Sequence, residues 1–441
     1  MRDIALALFV FGTIPFILMR PYVGLLVWSW LGYMNPNRLT FGFAYNFPWV
    51  QLIAIVTLLA LLFSKESKRI QWSTLATIML VFLLWTAFTT RFAIMPQDAW
   101  AKWWQFAKML IMVFMTMVVI NNRQRMHWLV WVIVVSLGFY GIKGGLFTIV
   151  QGGVNHVFGP AGSFIAGNND LAQALCMVLP LMRYLQLQAS RRILRIGFGV
   201  ALFLTGIAIL GTYSRGGFIA FAVVSVALIL KSRRRIVMLA VLVTLCFVGY
   251  QVMPAQWKAR MQTISHARTV NTAETRIQSW EFATNVALAR PIRGGGFDVY
   301  QSAAMWNNYG PEGARQRAVH SIYFRVLGEQ GFIGLGLFLA LLFAGWRCCA
   351  KVRRLTRHSL EQKWAFDLAS MLQVSLLAFM TAGLATTSSY FDLSYQLLAM
   401  CALLLGLVRE VEAEPAHSAQ PAERQRETLE GPVTTSVSRH G

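Results

Sequence analysis

The chain has 441 residues, of which 56% are hydrophobic and 13% charged, with 40 Lys and Arg against 18 Asp and Glu. A mean hydropathy of +0.52 is more than a water-soluble core of this length requires, so the composition excludes a soluble enzyme and reads as a polytopic membrane protein. The apolar runs are continuous rather than alternating, which makes the crossings helices and not barrel strands.

In chain order, the first apolar run begins at Asp3 and lacks a small-x-small cleavage site, so it reads as an anchor rather than a removable leader. Pro15 and the "RPY" at Arg20 to Tyr22 interrupt it before Met34; one broken crossing is expected there, with a short hairpin as the alternative. Five basic connectors follow: "SKESKR" from Ser64, "NNRQR" from Asn121, "SRRILR" from Ser190, "KSRRR" from Lys231 and "RCCAKVRRLTRH" from Arg347. Short loops of this charge face the cytoplasm. The alternation then puts "YNFPW", the 152–169 loop, the turn before Tyr213 and the 254–319 loop on the outer side, and predicts about twelve helices with both termini inside. Residues 1–408 are expected to form one transmembrane domain that contains the 254–319 loop. The polar stretch 409–441, rich in Pro, Ser and Glu, is expected to be a disordered cytoplasmic tail. The five cysteines show neither a disulfide framework nor zinc-type spacing.

The outer loop breaks the charge rule. It carries Lys258, Arg260, Arg268, Arg276, Arg290, Arg293, Arg315 and Arg317 against Glu274, Glu281, Asp298 and Glu312. A solvated basic face is one reading. The other is an anion site, favoured because all but one of these cations are arginines, whose planar fork suits phosphate oxygens. Within the loop, "ETRIQSWEFATNVALA" sets Ile277, Trp280, Val286 and Ala287 near helical spacing and predicts an amphipathic helix lying over the membrane. It stops at Pro291, where "RGGGF" makes a tight turn and not a nucleotide loop.

Arg215 in "LGTYSRGGFIAF" stands at the outer entrance of a span beside Tyr213. It either snorkels or clamps phosphate near the membrane plane, and Lys143 in "YGIKGGL" is placed to join it. Asn168, Asn169 and Asp170 in "AGNNDLAQAL" are a polar rim or a helix cap. His320 opens "HSIYFRVLGEQGFIGLGLF" as a structural helix-start residue or as a proton acceptor near neutral pH. Glu329, inside the following apolar run, would orient or pair with a buried group. A catalytic zinc needs three protein ligands, and His156, His266 and His320 are far apart with no HxxxH or DxD pair. The reading is therefore metal-free, without a cofactor and with no nucleic-acid partner.

Taken together, "TYSRGG" at a helix entrance, Arg276-x3-Trp280 followed by "ARPIRGGGFDVY", and "HSIYFRVLGEQGFIGL" closing the loop resemble the O-antigen ligase family over roughly residues 152–407. The opening 39 residues resemble a branch of exosortase-associated O-glycosylation ligases. The resemblance implies a GT-C-like, metal-independent glycosyltransferase of the bacterial inner membrane with its active site facing the periplasm. Its donor would be an undecaprenyl-diphosphate-linked glycan, its acceptor the lipid A core, and membrane lipids its surroundings. Carried over by motif, Arg215 and Arg276 bind the donor diphosphate, and His320 is the base. Arg268, Arg293 and Lys143 are the further candidates for that anion, and Tyr213, Asn169, Asp170 and Glu329 support the site or the acceptor. An O-antigen polymerase and a protein O-glycosylation ligase need the same clamp. A lipid-linked sugar flippase would need polar groups along a route through several spans. The oligomeric state stays open.

Overall fold

The computed structural model covers the full chain. Its described residues are 1–66, 72–232, 254–262 and 271–418, with isolated ones at 235–236, 239–240, 243–244, 247 and 250. Every regular element among them is helical, as expected where lipid offers no partner for backbone polar groups and a helix satisfies its own.

The amino end forms α1 (Arg2–Met19) and α2 (Pro21–Met34), which reverse direction at Arg20, in an extended conformation. Asp3 Oδ1 accepts hydrogen bonds from the amides of Gly42 (2.9 Å) and Ala44 (3.1 Å). The stretch from Asn35 to Phe41 cannot span the roughly 48 Å that two collinear helices of this length would open. The expectation of one broken crossing is therefore corrected to a hairpin. Pro21, at the first position of α2, starts a new helix there instead of kinking an existing one. A consequence is that Arg2 and Ser418, the last described residue, lie at opposite ends of the bundle.

The chain continues through α3 (Trp49–Phe63), α4 (Thr74–Arg91), α5 (Pro96–Val119), α6 (Arg123–Val150), α7 (Asn168–Gln188), α8 (Arg192–Gly211) and α9 (Arg215–Lys231). After a stretch mostly outside the described residues come α10 (Ala255–Gln262), α11 (Asn271–Ala289), the short α12 (Ala303–Tyr309), α13 (Ile322–Leu355), α14 (Lys363–Ala382) and α15 (Asp392–Ser418). Eight of the described helices are long and apolar enough to cross a membrane: α1, α4, α5, α6, α8, α13, α14 and the Asp392–Glu412 part of α15. The count of about twelve is not fixed by these eight. It rests on shorter or more polar helices and on the stretch after Lys231. The expected tail from Arg409 begins as a continuation of α15 to Ser418, and the rest of it lies outside the described residues.

The interior is built on α7, α14 and the 392–408 part of α15, whose residues are buried almost all round. Their sides are covered by α6, α8 and α9 on one flank and by α4, α5 and α13 on the other. Connectivity brings the 35–48, 91–96, 151–167, 212–214 and 383–391 connectors to one end, together with the described residues of the 254–321 loop. The basic connectors lie at the opposite end, where Arg20, Glu66 and Arg125 surround a cavity of about 320 Å³.

Candidate active site

At the loop-bearing end, a cavity of about 410 Å³ is lined by Asn169, Arg215, Thr275, Arg276, Gln316, Arg317 and His320. Four separate stretches of sequence deliver these groups, and each has a local reason to hold its place.

Arg215 is the first residue of α9. The Ser214 hydroxyl caps that helix by accepting from Gly217 N (3.0 Å) and donates to Asn169 Oδ1 (2.6 Å), which ties the start of α9 to the start of α7. Asn168 Nδ2 adds a bond to Thr212 O at 3.0 Å. A Cβ on Gly216 would meet that of Ala385 at 2.4 Å, and one on Gly217 that of Ala172 at 2.4 Å, so the two glycines let α9 close against its neighbours. Tyr213 precedes them with a left-handed φ of 58°. It is buried, its hydroxyl donates to Gly153 O at 2.6 Å, and its ring lies 4.2 Å from that of His156. Tyr213 anchors the turn that presents Arg215 and does not itself line the cavity.

Arg276 and Thr275 come from α11. The buried face of this helix is Ser279, Phe282, Ala283, Val286 and Ala287, packed on α13. Ile277, expected on the apolar face, is 55% exposed; the burying stripe runs through Phe282 and Ala283, so the face is rotated from the one predicted. The Trp280 indole donates to Val319 O at 3.1 Å and stacks on Phe324 at 5.1 Å. Arg276 is thereby fixed over the residue that follows Val319, which is His320.

His320 has a φ of 48°, a conformation uncommon for a residue with a side chain. Directly after it, Ile322 N donates to Gly383 O at 2.8 Å and Ser389 Oγ donates to Ile322 O at 3.0 Å, so the 383–391 connector grips the start of α13. Burial, and then the charge of Arg276, lower the imidazole pKa from its usual value. The histidine is therefore neutral at pH 7 and able to accept a proton. Burial, and then the neighbouring Arg215, likewise lower the pKa of Arg276. Crowded guanidinium groups and a neutral imidazole in one pocket have the composition needed to hold a polyanion and take a proton beside it. Among the described residues, no three His, Cys, Asp or Glu side chains gather to hold a metal.

Other predicted site residues stand elsewhere. Lys143 is exposed and lies 5.9 Å from the Phe139 ring. Arg293 lies 4.8 Å from the Phe92 ring. Neither lines the cavity. Arg268 is outside the described residues. Asp170 Oδ1 accepts from Ser388 Oγ at 2.6 Å, binding α7 to the 383–391 connector. Glu329 is 1% exposed and accepts from Arg325 Nε at 3.0 Å and from Asp298 N at 3.0 Å. Arg325 also donates to Asp298 Oδ1 (2.8 Å) and Thr387 O (2.6 Å). This buried knot joins α13 to the glycine turn and to the 383–391 connector, so Glu329 acts as a support.

Thr275 and Gln316 were not singled out by the sequence, and Arg317 entered only as one of the loop's arginines. The available signal was adjacency: Thr275 precedes Arg276, and Gln316 and Arg317 stand a few residues before His320. The Arg325–Glu329 pair carried the clearer i,i+4 signal of a helical ion pair.

Residues 200–339 match the family model described as O-Antigen ligase. Residues 1–190 match that of a family of unknown function, DUF5935. No curated protein matches the chain. The ligase match spans Arg215, Arg276 and His320 together.

Proposed function

We propose that this chain, whose residues 200–339 match the O-Antigen ligase family model, transfers a glycan from undecaprenyl diphosphate to the lipid A core on the periplasmic face of the bacterial inner membrane. The observation that carries the reading is the convergence of Arg215, Arg276, Arg317 and His320 on one cavity at the loop-bearing end of the bundle. In this mechanism the arginines hold the donor diphosphate. His320 removes the proton from an acceptor hydroxyl, whose oxygen attacks the anomeric carbon as the bond to the diphosphate oxygen breaks. The electron pair leaves on the diphosphate, where the guanidinium groups stabilise the growing negative charge. A single displacement inverts the anomeric centre. The cationic duty is assigned to arginine, so the reaction needs no divalent ion.

An O-antigen polymerase or a protein O-glycosylation ligase would use the same clamp with another acceptor. Lipopolysaccharide from a deletion strain separates them. A lost ligase leaves the core bare while full-length lipid-linked polymer accumulates. A single repeat attached to the core would instead identify a polymerase and overturn the reading.

A further inference from the structure

A second group of cations at the same end of the bundle lies outside the cavity. Phe92 caps the carboxyl end of α4, and three guanidinium groups surround it. Arg91 lies 5.9 Å and Arg293 4.8 Å from its ring, and Arg290 Nη2 donates to its carbonyl oxygen. Among the described residues, no ion pair joins any of the three to a carboxylate. Burial, and then the charge of Arg293, lower the pKa of Arg290, so these cations crowd one another without an internal counter-charge. Like charges held together in this way await an anion.

The surface beside them identifies its kind. Phe88, Phe92, Ile292, Phe332 and Ile333 are exposed. They are contiguous, because the Phe88 and Phe92 rings are 5.1 Å apart and Phe332 N donates to Pro291 O at 2.9 Å. Arginines at the rim of an exposed apolar strip on a spanning bundle stand at the depth where lipid headgroups meet acyl chains. A soluble anion would have no use for the strip, whereas a lipid places its chains along it and its phosphate among the arginines.

We propose that Arg91, Arg290 and Arg293 around Phe92 form a binding site for the phosphate-bearing headgroup of an anionic membrane lipid, with its chains along Phe88, Phe332 and Ile333. Arg290 also closes the carboxyl end of α4, so the test leaves it in place. The full-length protein is reconstituted in phosphatidylcholine nanodiscs with a minor fraction of phosphatidylglycerol, and the lipids retained on transfer to detergent are counted by native mass spectrometry. The wild type should retain phosphatidylglycerol in preference to phosphatidylcholine. Arg91→Gln/Arg293→Gln should bind it roughly 30-fold more weakly, at about a factor of five per basic side chain. Arg91→Lys/Arg293→Lys should keep most of the preference. Inorganic phosphate at millimolar concentration should leave the retained lipid in place. If the double variant does not fold, Arg293→Gln alone, at an exposed position, should still lose roughly fivefold. Equal phosphatidylglycerol retention by wild type and folded Gln variants would overturn the site, and release by inorganic phosphate would overturn the lipid as its occupant.

Discussion

His320 combines a left-handed backbone with a half-buried ring beside Arg276, and both features bear on its proposed role. The imidazole pKa is lowered below its ordinary value of about 6.5, so the neutral, proton-accepting form is the majority species at pH 7. Activity that depends on it is lost as pH falls through that lowered value. A bound diphosphate would offset the charge of Arg276 and raise the imidazole pKa again, making it a stronger base once the donor is in place. The acid limb of kcat, which reports the bound enzyme, should therefore lie at higher pH than that of kcat/KM for the donor, which reports the free enzyme. Coincident limbs in a pH-rate series would remove the arginine–histidine coupling from the account. His320 and Arg215 were legible in the sequence because a polar residue at the edge of an apolar run stands out, and Arg276 because it is one of the arginines of the basic outer loop and falls in a family-like motif. Gln316 and Thr275 were not, since neutral polar residues in a loop have no spacing that marks them.

At the level of elements, the glycine turn and the helix it meets are the feature that most constrains the site. Inside α13, Gly331 has φ 70° and ψ −173°, a region essentially reserved for glycine. A Cβ there would lie 2.6 Å from the carbonyl oxygens of both Pro291 and Ile292. The break lets Gly295 N and Gly296 N donate to Gly328 O (2.8 Å) and Glu329 O (2.9 Å), so the loop is bonded to a spanning helix through its backbone. Gly331→Ala should destabilise the protein by roughly 1–3 kcal/mol from backbone conformation alone, read as a lowered thermal midpoint in detergent. Gly336→Ala, in the same helix with open space around it, should change the midpoint little. Similar midpoints for the two variants would show that the break is not needed. The sequence marked "RGGGF" as a tight turn, which it is, but gave no sign of what it docks on, because that partner is fixed by backbone contacts far along the chain. The amino-terminal hairpin was hidden for a related reason: a Pro after Arg20 is compatible with a kink or with a new helix start, and only the bonds from Asp3 to the 42–44 backbone decide it.

For the molecule as a whole, the fold class was legible because continuous apolar runs allow little besides a helical bundle. The helix count was less so, since α7 is polar enough to escape a hydropathy reading yet is among the most deeply buried helices. The bundle carries its basic connectors at one end and its candidate active site at the other. Its ligase-matching segment, residues 200–339, supplies Arg215, Arg276 and His320, while Asn169 comes from the segment matching a family of unknown function. Both segments therefore build the cavity. The most direct test of the central claim is single-turnover transfer by purified, reconstituted protein, using an undecaprenyl-diphosphate-linked glycan, a lipid A core acceptor and excess EDTA. The account predicts transfer at the same rate with and without the chelator, and a roughly 10²–10⁴-fold slower rate for His320→Gln with donor binding retained. Loss of wild-type transfer on chelation with recovery on adding a divalent ion, or His320→Gln turning over at the parental rate across neutral pH, would contradict it.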